Sequence, residues 1–260
     1  MYSRLQLGVS SPHIPGSSDV TNFTSLQAGG TEDQRAGAII VAAGGSHRMQ
    51  GVDKIFMPLL GVPLLSHTLA AFEAVPWIRS IVLVLNSTNL KQGMALVRKH
   101  GFGKVDEICQ GGERRQDSVR QGLKHLGRQP WVIIHDGARP CVDRQLIELG
   151  LEEAVRCGSA VAAVPMKDTV KVVGAQGQVR ETLDRQSLWT IQTPQVFSWE
   201  VLHQAYQQHD VTVTDDASLV ERLGHRVHIY LGSYTNIKVT TREDGLVAET
   251  LLRYREGLAV

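Results

Sequence analysis

The chain has 260 residues, with 27 lysines and arginines against 26 aspartates and glutamates and a formal net charge of +1 at pH 7, so no bulk field directs it to nucleic acid or to a membrane surface. An apolar fraction of 42% and a charged fraction of 20% exclude disorder throughout and allow one core or two. The longest apolar runs, such as AIIVAA at 38–43, fall far short of the roughly 20 residues of a membrane helix.

Residues 1–35 collect Ser, Thr, Gly and Pro with no sustained period of 2 or 3.6 and predict a flexible tail. The tail lacks the basic start and apolar stretch of a secretory signal. From Gly37 onward, short β-rich runs alternate with helical patterns. The runs are AIIVAA at 38–43, SIVLVL at 80–85, KVDEICQ at 104–110, WVIIH at 131–135 and SAVAAVP at 159–165. Several are apolar on successive residues, as in a parallel sheet covered by helices on both faces. Between them, the segments 66–75, 90–100, 117–126 and 143–156 suit amphipathic helices, with Ser66, Asp117 and Asp143 as N-caps. The alternation predicts a doubly wound, mostly parallel, Rossmann-like α/β domain over 36–260.

The segment 169–183 breaks the rhythm with two β-type runs around Gly174-Ala-Gln-Gly177, a hairpin with a loose turn. Its exposed edges call for a cover, from its own domain or from a partner subunit. Helical patterns near 198–208 and 216–223, the strand RVHIYLG and the segment NIKVTTREDGLVAETLLRY close the chain. The three cysteines, Cys109, Cys141 and Cys157, contain no C-x-x-C pair. They build neither a zinc cage nor a secreted disulfide framework, and they suit a reducing cytoplasm.

Ligands of open α/β sheets bind beyond the carboxyl ends of the strands. After the first run come Gly44, Gly45, Arg48 and Lys54. Alone, the glycines read as an ordinary strand-to-helix turn; two cations on the same loop shift the reading toward a polyphosphate. The third run ends in GGERRQDSV, where Gly112 frees backbone groups and Glu113 and Ser118 offer hydrogen bonds to a base edge. The fourth ends in HDGARP. Asp136, beyond a buried strand and among cations, is either a turn residue or a ligand of Mg²⁺, which takes one or two carboxylates and completes its shell with phosphate and water. His135 reads as structural. No H-E-x-x-H, G-x-S-x-G or P-loop pattern occurs, so zinc, serine-hydrolase and P-loop chemistries are excluded.

Taken in order, AIIVAAGGSHRM, Lys54, GGERRQDSV, HDGARP, PMKDTVK, LDRQSLWTIQTPQVF, TVTDDASLVE and NIKVT resemble the 2-C-methyl-D-erythritol 4-phosphate cytidylyltransferase family over nearly all of 37–257. The resemblance implies a nucleotidyltransferase fold and a reaction joining CTP to methylerythritol phosphate with release of pyrophosphate, in isoprenoid precursor synthesis. It implies Arg48 and Lys54 on the triphosphate, Lys238 on the α-phosphate, Mg²⁺ on Asp136, and cytosine read by Gly112 to Ser118 with the backbone at Ala42 and Ala43. It also implies Asp168, Thr169, Arg185, Thr193 and Thr214 for the sugar phosphate. Arg185 would reach across a cytoplasmic homodimer from a protruding dimerisation arm at about 167–187. On the residues alone, Arg185 reads as an ion-pair partner of Asp184, Thr193 as a turn residue and Lys238 as a solvated edge lysine.

Three positions depart from the family pattern. Ser46 stands where a second glycine is usual, the Arg48–Lys54 interval is a residue short and lacks the proline before the lysine, and Thr235 replaces an acidic residue. An enzyme acting on another alditol phosphate, such as ribitol 5-phosphate, or an inactive nucleotide-binding protein would carry similar nucleotide loops. No nucleic-acid or membrane partner is expected.

Overall fold

The computed structural model describes residues 35–44, 53–208 and 211–259. The first apolar run becomes strand β1 (Ala36–Ala42), buried along its whole length. Ala36, Ala38, Ile40 and Ala42 enter one core cluster, whereas Ile39 and Val41 enter another. That is the period of 2 expected of a strand covered on both faces.

A short helical turn at Lys54–Phe56 and the small antiparallel pair β2 (Pro58–Leu59) and β3 (Val62–Pro63) lead into α1 (Leu64–Glu73). Then come β4 (Ile78–Leu85), α2 (Leu90–His100), β5 (Val105–Gln110), α3 (Arg115–Leu126), β6 (Trp131–Asp136), α4 (Arg144–Cys157) and β7 (Ser159–Pro165). The hairpin β8 (Lys171–Val173) and β9 (Val179–Thr182) precedes β10 (Trp189–Ser198), α5 (Trp199–Ala205), α6 (Ala217–Arg222), β11 (His228–Leu231) and α7 (Arg242–Arg255).

The main sheet has the order β11-β7-β10-β6-β1-β4-β5. All neighbours in it are parallel except β10, which runs antiparallel to both β6 and β7. One face is covered by Leu65, Leu69 and Phe72 of α1, Leu96 of α2 and Leu146, Ile147 and Leu151 of α4. The other is covered by Val119, Leu123 and Leu126 of α3, Leu202 of α5 and Leu219 and Val220 of α6. This is the doubly wound α/β arrangement. Helix α7 forms a third cluster through Ala248 and Leu252 against Leu59, Leu64 and Val239. Among the described residues, no helix is long and apolar enough to cross a membrane.

Several local expectations need correction. Helix α1 begins at Leu64 after Pro63 rather than at a Ser66 cap, because Leu64 and Leu65 are both fully buried and the Leu64 N–H donates to the Met57 carbonyl at 2.8 Å. Asp117 sits inside α3 instead of capping it, and its carboxylate reaches back to the Arg114 N–H at 3.3 Å. Asp143 does cap α4, accepting from Leu146 N–H at 2.8 Å. The ten-residue strand β10 is central although it carries Pro194, and its ladder with β7 skips between Ile191 and Gln195. The proline removes a donor at the skip, which is how a central strand accommodates one. Residues 237–239 form no strand; their backbone is held at a loop, with Val239 N–H donating to the Ala138 carbonyl at 2.8 Å.

Among the described residues, the hairpin pairs with itself as a separate two-stranded sheet. Gln176 and Gly177 turn it with φ of 70° and 76°.

Candidate active site

Parallel register sets the carboxyl ends of β1 and β6 side by side, with Val41 opposite Asp136. The loop after β5 lies against them. A Cβ at Gly111 would come within 2.5 Å of the Ala43 Cβ and 2.6 Å of the Ser118 Oγ, so only glycine allows this approach. A cavity of about 130 Å³ opens where the loops meet. Ala42, Ala43, Gly44, Lys54, Gly112, Glu113, Ser118, Asp136 and Lys238 all line it, joined by Arg114 and Arg115. Lysines 54 and 238, far apart in the chain, therefore share one mouth. Gly45 and Arg48 lie outside the described residues. Ser118 is 2% exposed, and its Oγ accepts from the Gly112 N–H at 3.2 Å while lying 3.2 Å from the Arg114 carbonyl.

Asp136 is the electrostatic centre. Its Oδ1 is 3.0 Å from Arg115 Nε, and its Oδ2 is 2.8 Å from Lys238 Nζ and 3.6 Å from Arg139 Nε. Burial alone would raise its pKa, yet Arg115, Lys238 and Arg139 outweigh burial and hold the carboxyl well below the usual range. Its backbone N–H donates to Thr193 Oγ1 at 3.1 Å, and that hydroxyl also lies 3.1 Å from His135 Nδ1. Burial pushes the fully enclosed His135 imidazole down to about 3, so it is neutral and structural at pH 7. Thr193 is thus buried behind the carboxylate, supporting it from β10.

Arg115 bridges two carboxylates, since its Nη1 also donates to Asp216 Oδ2 at 2.7 Å. Asp216 is fully buried and accepts a second hydrogen bond from the Tyr206 hydroxyl. Burial opposes the guanidinium charge, but Asp216 and Asp136 overcome it and hold Arg115 firmly protonated. Lys238 is delivered by its neighbours. Asn236, 1% exposed, donates to the Thr193 carbonyl at 2.8 Å and accepts at its own carbonyl from Arg139 Nη1 at 2.7 Å.

A second cavity, of about 440 Å³, adjoins the first. Arg115, Asp136 and Lys238 line both. Thr193 and Thr214 line the second, together with Arg139, Gln192, Gln195, Asp215 and Ser218. Asp168, Thr169 and Arg185 line neither; they are exposed at the base of the hairpin, where Arg185 Nη1 donates to the Lys167 carbonyl at 2.8 Å. The sequence left Asp216, Tyr206, Asn236 and Arg139 unassigned and placed Arg115 only within the cytosine-facing segment, not beside Asp136 and Asp216. The cation within HDGARP and the doubled aspartate after Thr214 were the available signals.

Two lysines at one mouth, glycine-permitted backbone at Gly44 and Gly112 and a carboxylate shared with a neighbouring cavity suit the phosphates of a nucleotide, the chemistry of a nucleotidyltransferase. A family model for 2-C-methyl-D-erythritol 4-phosphate cytidylyltransferase (IspD) matches residues 36–254, and the chain belongs to that family. It is 53% identical over 221 residues to the 2-C-methyl-D-erythritol 4-phosphate cytidylyltransferase of Dehalococcoides mccartyi, spanning 85% of this chain and 97% of the relative. The protein of that name from Shouchella clausii is 44% identical over 224 residues, with 85% and 97% covered. Among solved structures, the 4-diphosphocytidyl-2C-methyl-D-erythritol synthase of Anaerococcus prevotii superimposes with a TM-score of 0.76 at 30% identity, over 85% of this chain and 98% of that one. The 2-C-methyl-D-erythritol 4-phosphate cytidylyltransferase of Thermus thermophilus gives 0.69 at 31% identity, over 83% and 98%.

Proposed function

We infer that the chain transfers CMP from CTP to 2-C-methyl-D-erythritol 4-phosphate, giving the CDP-alcohol and pyrophosphate for isoprenoid precursor synthesis. The observation that carries this reading is the meeting of Lys54, Lys238 and Asp136 at one cavity whose wall is shared with a second, in a chain of this family. The attacking group is a phosphate oxygen ionised at pH 7, so no general base is needed. The obstacle is the approach of two anions, and catalysis is positioning plus charge neutralisation.

In this reading Lys54, with Arg48, steadies the β- and γ-phosphates and the departing pyrophosphate. Lys238 turns from Asp136 to the α-phosphate as charge gathers there. Ala42, Ala43, Gly44 and Gly45 offer backbone to the nucleotide, and Gly112, Glu113 and Ser118 face the cytosine. Thr214 contributes to the acceptor side from the second cavity, and Thr193 acts there by holding Asp136. Asp136 suits Mg²⁺ in its chemistry: it is an ionised carboxylate at the shared wall. Among the described residues, no group of three or more His, Cys, Asp or Glu is gathered to hold a metal, so phosphate and water would supply the other ligands. Bound there with CTP, Mg²⁺ would supply a template and a Lewis acid.

The catalytic unit in this reading is 36–260, a cytoplasmic homodimer joined through the arm at about 167–187. Support for the dimer comes from the arm itself. Val172, Val173 and Val179 are 39%, 55% and 58% exposed, and Asp168, Thr169 and Arg185 stand away from their own subunit's cavities. The free cysteines, buried at Cys109 and Cys141 and half-buried at Cys157, suit a reducing compartment, and the near-neutral charge suits small-molecule partners.

Incubating the protein with CTP, Mg²⁺ and either methylerythritol phosphate or ribitol 5-phosphate, and measuring pyrophosphate, tests the function. Release with the first acceptor and its loss on chelation are expected. Turnover of ribitol phosphate alone, or binding of CTP without product, overturns the reading. For the shared pocket, Arg185→Ala is expected to raise KM for the sugar phosphate about tenfold or more, and mixing it with Lys54→Ala subunits to restore part of the activity. Absence of rescue in mixed dimers rules out completion of the site across subunits.

A further inference from the structure

We propose that Asp53 is a positioning residue: clamped by Asn86 and Asn89 of the loop after β4, its carboxylate fixes the turn that carries Lys54 into the nucleotide cavity. The proposal rests on the reading of that cavity as a CTP site. Asp53 caps the turn Lys54–Phe56, with Oδ1 accepting from the Ile55 N–H at 3.3 Å and its carbonyl accepting from the Phe56 N–H at 3.0 Å. The other carboxylate oxygen accepts from Asn86 Nδ2 at 3.3 Å and from Asn89 Nδ2.

The two amides are themselves oriented. Asn86 Oδ1 accepts from the Asn89 N–H at 3.0 Å and from the Thr88 hydroxyl at 2.7 Å, and Asn89 is 6% exposed. The donors therefore present fixed N–H groups to Asp53 from the end of β4, the strand that pairs in parallel with β1. On the other side of Lys54, Ile55 is 1% exposed and packed in the core. The backbone of Lys54 is thus anchored before and after, and its side chain is aimed at the cavity it shares with Lys238 and Asp136. Such anchoring of a cation by neighbouring packed and hydrogen-bonded groups converts a flexible lysine into a placed one.

Charge alone predicts the opposite role. A carboxylate next to a triphosphate site repels its ligand, so its removal would tighten CTP binding. The clamp predicts that removal weakens it, and the sign separates the two. Affinities for CTP and CMP measured by calorimetry, with KM and kcat, on wild type, Asp53→Asn, Asp53→Ala and Asn89→Ala provide the test. Each variant is expected to weaken CTP about tenfold while CMP stays within about twofold, with KM for CTP rising more than kcat falls. Retained CMP binding also reports an intact fold. Adding Asp53→Ala to Lys54→Ala is expected to cost nothing further, because the clamp acts through the lysine. Unchanged or tighter CTP binding in the Asp53 variants, equal loss of CTP and CMP in all three, or additivity in the double variant overturns the proposal. Wild-type protein that binds CTP without forming a CDP-alcohol would sink the functional reading instead, and the CTP/CMP comparison would still decide the clamp.

Discussion

Lys238→Ala is expected to lower kcat by roughly 10²–10³-fold, the usual effect of deleting one preorganised group that stabilises developing charge. The fold should survive. The Lys238 side chain is 38% exposed, and Asp136 keeps Arg115 at 3.0 Å and Arg139 at 3.6 Å when the ammonium is removed. The loop stays anchored by Asn236 and by the Val239–Ala138 backbone bond, neither of which needs the lysine. Pyrophosphate release and a thermal melt on the same preparation check both halves. A variant melting like wild type but retaining more than about a tenth of its turnover would remove Lys238 from the reacting centre.

Asp216→Ala is expected to act on stability and activity together. Its carboxylate is fully buried and satisfies Arg115 and the Tyr206 hydroxyl at once. Removing one partner of a buried pair costs up to about 3–5 kcal/mol, and here Asp136 at 3.0 Å is the one carboxylate left to the guanidinium. For a domain of this size, that corresponds to a fall in Tm of roughly 6–20 °C. Activity should fall as well, since Arg115 lines both cavities and would lose one of its two anchors. Tyr206→Phe is the control: it deletes one hydrogen bond to the buried Asp216 carboxylate while sparing the ion pair, for about 1.5–3 kcal/mol. An Asp216→Ala protein that melts within about 2 °C of wild type would mean that Asp136 alone satisfies the guanidinium.

What could be read from the chain was what depends on local pattern. The buried runs around Ile39, Val82 and Ile133 announced parallel strands because strands covered on both faces are apolar at successive positions. The carboxyl ends of β1 and β6, with that of the half-exposed β5, then located Ala42, Asp136 and Gly112 at a common edge. Strand β10 was obscured by Pro194, whose missing donor marks a break locally but is absorbed at a skip in the ladder. Asp216 and Tyr206 were hidden for another reason: the Arg115–Asp216 bond joins residues 101 positions apart, and no periodicity encodes such a pairing. The placement of Lys238 was likewise nonlocal. A stretch that looks β-like by composition is an irregular loop tied down through Asn236.

The cluster around Asp136 has a consequence for the resting protein. Its carboxylate serves as a built-in counterion, partly neutralising three cations before any substrate arrives. An incoming anion must compete with an occupant already bonded on both oxygens, a contest that a multiply charged chain of phosphates contacting several cations together enters with more attraction than a single small anion.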